Sequence, residues 1–333
     1  MLLPLRQINS AVFSSGALLQ PASIQAAAAP LASILLAEAV GNLAMYSVGF
    51  AAGGFSRIHS NTSDGNKSND FSWFEVSKKN KNRIKHRTSD KAIALMLVFL
   101  SSLVRGAANP IADMTALLPS FKLMVLYKVF MGSVGITDEL DDLPEDIKTR
   151  QSKLACSIST AATIAVIPVM LCALPSLYIP YAAMVLGIHG LAGKIDSPSF
   201  QAVGFLTLLA LFAVTFVTKL PLKSFPLVGI FMTMAAEALW QTHDEHPGLI
   251  KLTENFPSLN KVWRVLNKNT FMLFLIGLGL LPLSWLTTSS PAYAVAKVGL
   301  AKGVLSSEGL SRSKEIHYVP KADNELIAVT DSY

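Results

Sequence analysis

Between Leu154 and Trp240 the only charged residues are Lys194, Asp196, Lys219, Lys223 and Glu237, and this block constrains the fold more than any other feature. A soluble domain carries charge on roughly a quarter of its residues, whereas this chain of 333 residues carries 15% and is 51% hydrophobic. With a mean hydropathy of +0.45 it has too little charge for intrinsic disorder. In hydrocarbon the backbone must satisfy its own hydrogen bonds, so long apolar runs are expected to be helices. The expected fold is all-α, a polytopic integral membrane protein of about eight transmembrane or re-entrant helices with interfacial amphipathic segments.

The polar interruptions divide the chain. Residues 1–56 hold an Ala-rich leader and a first membrane segment; 57–91 read as a basic polar linker; 92–136 as a membrane hairpin; and 137–153 as an acidic loop. Residues 154–240 read as a four-pass block, because prolines and glycines cut it into pieces. Residues 241–269 read as an interfacial loop and helix, 270–306 as a C-terminal hairpin, and 307–333 as a mobile polar tail. The leader has one base, Arg6, before its first acid, Glu38, and Pro4, Pro21 and Pro30 break it up. It lacks the compact apolar core of a secretory signal and is read as part of the mature chain. Gly49 and Gly53 supply a small-residue spacing suited to helix dimers. Cys156 and Cys172 would lie about 24 Å apart on one helix, too far for a disulfide, and read as small buried side chains.

Charge is unevenly distributed. Of the formal net +6, a surplus of five sits between Arg57 and Lys91. A basic block beside an apolar run suits anionic head groups better than nucleic acid, which is excluded as a partner class here. The expected lipid-binding residues are Trp73, Phe74, Lys78, Lys79, Lys81, Arg83, Lys85 and Arg87, with aromatics at the head-group level. The plainer reading of the same block is orientation alone, through the positive-inside rule. Lys122 and Lys128 are read as snorkelling to the interface. The acids from Asp138 to Asp146 lack calcium-loop spacing and read as a solvated acidic helix start.

Three function classes survive. The first is a membrane-resident interaction or remodelling protein engaging anionic lipid or protein partners from its cytosolic face, the tail being a further contact for partners. The second is a small-solute or ion transporter or channel using the intramembrane residues Glu237, Glu38 and His189, since a charge at mid-bilayer is costly unless it has a role. The third is a membrane-embedded enzyme built on a weak metal set, His243, Asp244 and His246, which lacks the metalloprotease spacing. No catalytic residue and no cofactor is assigned, and the first class is favoured because surface-binding features outnumber intramembrane polar groups. If all large polar stretches face one side, Lys219 and Lys223 fall on the other, against the positive-inside rule.

Overall fold

A computed structural model describes residues 21–58, 72–104, 120–191, 195–219, 226–245, 251, 255–256, 268–282, 284–285, 290–314, 318–320 and 326–328. The fold is helical. Its helices are α1 (Pro21–Ser56), α2 (Trp73–Val104), α3 (Phe121–Asp141), α4 (Arg150–Ala173), α5 (Pro175–Leu191), α6 (Pro198–Thr218), α7 (Leu227–Glu245), α8 (Lys268–Gly277) and α9 (Ala292–Lys314). Among the described residues the only strands are β1 (Tyr318–Pro320) and β2 (Leu326–Ala328), an antiparallel pair in the segment expected to be a mobile tail.

The helix boundaries have local causes. Ser120 caps α3 by accepting from the Leu123 N–H. Thr149 and Ser152 form a reciprocal capping box at the start of α4. Ser197 caps α6, with Pro198 in the first turn where its missing N–H costs nothing. Leu174, which precedes Pro175, leaves helical geometry and separates α4 from α5, as the residue before a proline tends to do. Pro168 and Pro180 lie inside α4 and α5 without ending them.

Among the described residues three helices are long and apolar enough to cross a membrane: Leu35–Ser56 within α1, Arg150–Ala173 and Pro198–Thr218. The apolar part of α7, Leu227–Ala236, is shorter. Apolar side chains on α6 point outward, with Phe212 69% and Phe216 82% exposed, and Leu35 and Leu43 do the same on α1. In water this surface would be an aggregation hazard, and in hydrocarbon it is an ordinary lipid-facing surface.

Two cores are packed behind it. One joins α2, α3, α4, α5, α6, α7 and α8 around Tyr127, Tyr178, Met184 and Trp285. The other joins α1, α2, α3, α4 and α9 around Met45, Trp73, Ile136 and Leu300. The centre of the second core is α9, which packs most extensively on α1 and also on α3 and α2. Its residues Ala292, Ala294, Ala296, Leu300, Ala301 and Val304 are fully buried. Helix α9 also runs past residue 306, where the C-terminal hairpin was expected to end.

The α1–α9 contact explains Gly49 and Gly53. A Cβ at Gly53 would overlap the Leu300 carbonyl, and one at Gly299 would overlap the Tyr46 carbonyl. Two glycine pairs four residues apart therefore face each other across one intramolecular contact. The surface read as a dimerisation signal is occupied by the chain's own α9.

Candidate functional site

The residues expected to form a basic linker lie on α2, one unbroken helix from Trp73 through the apolar residues up to Val104. Lys78, Lys79, Lys81, Arg83 and Lys85 are exposed, as is Phe74. Lys78 pairs with Glu75 at 3.5 Å, and Arg83 donates to Asn80 at 3.4 Å. Trp73 departs from the expectation, because it is buried in the second core and does not sit among head groups. Arg87 turns inward and donates to the Ser290 carbonyl at 2.9 Å.

Inward of this basic face lies a charge network that joins four segments. Glu38 on α1 accepts from Lys91 of α2 at 2.8 Å and from Lys128 of α3 at 2.6 Å. Lys128 also donates to Asn42 at 2.8 Å and to the Ser290 hydroxyl at 3.2 Å. Ser290 in turn accepts from the Ala292 N–H and starts α9. Lys128 is 1% exposed, so it does not snorkel; its stem crosses Gly41, and its ammonium has three acceptors. Lys122 is exposed. The ion pairing also accounts for Glu38, whose negative charge is met from both sides.

A second cluster lies about 15 Å further along α3, ten residues beyond Lys128 at 1.5 Å each. Asp138 accepts from both Tyr293 and Lys297 of α9, and Glu139 pairs with Lys297 at 2.8 Å. Lys297 also lies over the Tyr293 ring. Of the acids expected at a helix start, Asp138, Glu139, Asp141 and Asp142 thus stand at the C-terminal end of α3, where the macrodipole disfavours them and Lys297 compensates. The acidic loop shortens to the turn between Asp142 and Thr149. Partial burial of its carboxyl, with Asp138, Glu139 and Asp141 nearby, pushes Asp142 up to about 6, against the opposing pull of Lys297. Across the turn, hydrogen bonds from Lys148 and Lys153 hold Glu145 below the usual carboxylate range.

His189, in the last turn of α5, lines a cavity of about 160 Å³ bounded by α3, α4, α5 and α6. Its lining is apolar apart from groups such as Thr207, Tyr178 and Tyr181. Nearby, the Tyr127 and Tyr181 hydroxyls are 2.8 Å apart. Cys156 is buried, but Cys172 is exposed and departs from the expected buried position. Glu237, His243 and Asp244 lie on α7, but their side chains fall outside the described residues, as does all of His246. Among the described residues no group of three His, Cys, Asp or Glu side chains is placed to hold a metal ion.

The structure therefore links Glu38 and Arg87, which sequence reasoning assigned to different functions, through Lys128 and Ser290, and adds Lys91. Lys128 carried a signal that was available in the sequence, since a lysine amid apolar residues must either reach water or find a carboxylate. Comparison with family models, with curated proteins and with solved structures finds no match.

Proposed function

We propose that this chain is a multi-pass membrane protein of about eight crossings that engages anionic lipid or protein partners from its cytosolic face. The observation that carries this reading is the continuity of α2. Its exposed basic residues and its exposed apolar residues Ile93, Met96 and Leu100 belong to one helix. From Lys85 to Ile93 the helix rises about 12 Å, within reach of a head-group layer for a long side chain. Lys78 lies about 22 Å from Ile93, where attraction across water is screened. Lys81, Arg83 and Lys85 therefore contribute more than Lys78 and Lys79.

Spin-labelled lipid measures this directly in reconstituted bilayers of neutral lipid with a minor share of anionic lipid. The protein is expected to select anionic over neutral lipid. The triple variant Lys81→Gln, Arg83→Gln, Lys85→Gln is expected to lose most of that selectivity, while Lys78→Gln with Lys79→Gln loses less. Unchanged selectivity in the triple variant overturns the proposal.

Transport is the second reading, and what favours it is the cavity beside His189. Against it, Glu38 is held between two lysines. Solute or ion flux in proteoliposomes that disappears in Glu237→Gln would make transport the better reading.

A further inference from the structure

We propose that Arg87 and Lys91, set against Lys128, Ser290 and the start of α9, form a binding site for a phosphate-type oxyanion, supplied by the head group of an anionic phospholipid. The argument begins with charge. Lys91 and Lys128 share a single carboxylate, Glu38, and Arg87 joins them through Ser290, to which Lys128 also donates. Arg87 and Lys91 are one turn apart on α2 and share its inward face. Lys128 has three acceptors, but among the described residues Lys91 has only Glu38, and its side chain keeps 14% of its surface. Arg87 places one N–H on the Ser290 carbonyl, and among the described residues no carboxylate pairs with it.

Excess buried positive charge is costly unless an anion answers it. The N-terminus of α9 adds a positive dipole end at Ser290, where both Arg87 and Lys128 dock. A guanidinium fork, an ammonium and a helix start together match a tetrahedral oxyanion in charge and in donors. The position selects the source. Lys91 is the last cation before the apolar run of α2, so the site lies where that helix passes from polar to apolar. This deepens the lipid reading above, because it separates a retained lipid on the inward face from diffuse attraction by the exposed lysines.

Native mass spectrometry of the full chain in neutral detergent, with phosphatidylglycerol and phosphatidylcholine in competition, tests the site. The wild type is expected to retain phosphatidylglycerol. Arg87→Gln and Lys91→Gln are each expected to lower retention about tenfold, whereas Lys153→Gln, at an exposed cation of α4 outside the basic face, leaves it unchanged. Arg87→Lys and Lys91→Arg preserve charge and are expected to restore most of it, which separates lost binding from lost folding. A rise in unfolding temperature with inorganic phosphate, abolished by Arg87→Gln, and without lipid retention, supports the oxyanion site but overturns the lipid source. Retention indifferent to both glutamine variants overturns the proposal, as does a wild type that responds to neither probe. Loss of spin-label selectivity in the exposed-lysine variants with retention intact leaves this site standing on its own.

Discussion

The ammonium of Lys128 can be buried because Glu38, Asn42 and Ser290 surround it, and each lies on a different segment from Lys128. Removing one member of a buried pair strands the other, at about 3–5 kcal/mol. Glu38→Gln, which leaves two lysines without their carboxylate, is expected to lower stability by that order, read as unfolding in detergent micelles. Gly41 tests the same geometry from the other side. A methyl there meets the Lys128 stem, and the pinned ammonium keeps the stem from swinging away. Gly41→Ala and Lys128→Ala should each destabilise, while the double variant costs less than their sum by about 1–3 kcal/mol. Additive losses would show that the stem is free to move.

Asp142 gives a pH dependence of known sign. Its folded value, about 6, lies above its ordinary 3.8, so the folded chain holds a proton that the unfolded chain releases. Its contribution to stability is complete below about pH 3.8 and is lost as pH rises through about 6. Asp142→Asn removes that loss. The variant should unfold at a higher temperature than the wild type above pH 6 and match it near pH 4, in a thermal series across that range. A variant with no advantage at pH 7 would mean that Asp138, Glu139 and Asp141 do not act on this carboxyl.

Helix–helix contact in hydrocarbon depends on close backbone approach, because lipid offers apolar side chains as good an environment as a neighbouring helix does. At α1 and α9 that approach is made by glycines placed against carbonyls. Gly53→Leu and Gly299→Leu should each separate the pair, and because α9 also carries Lys297 and follows Ser290, both charge clusters should loosen together. Thermal unfolding in detergent micelles is expected at a lower temperature in Gly53→Leu and in Gly299→Leu than in the parent. Gly54 is a control on α1: a Cβ there would have room, so Gly54→Ala should behave like the parent. The four-residue glycine spacing was legible in the sequence, but its partner was not. The spacing states that something comes close, and only the fold shows that it is a helix some 250 residues further along the chain.

Across the whole molecule, sidedness is the property that connects the charge network to a function. In a background without Cys156 and Cys172, single cysteines at Ser63, Asp142, Thr242 and Asp323 should label from one side of the membrane and one at Ser224 from the other. Labelling of Asp142 or Thr242 from the opposite side would overturn the even-crossing arrangement and favour transport.

The sequence alone determined the helical fold and the runs long and apolar enough to cross a membrane, because apolar length and polar interruption are local properties of the chain. The basic block was equally legible as composition, but its conformation was not, since neither Trp73 nor Arg87 shows locally which way it faces. Tertiary structure decided that Trp73 is core, that Lys128 is buried and that Arg87 and Lys91 meet Glu38 and Ser290. It also made α9, expected as one leg of the C-terminal hairpin, a central helix sheltered by α1, α2 and α3. The physical reason is that a buried charge is tolerated only where its counter-charge arrives, and here the partners come from segments 53 to 203 positions apart in the chain.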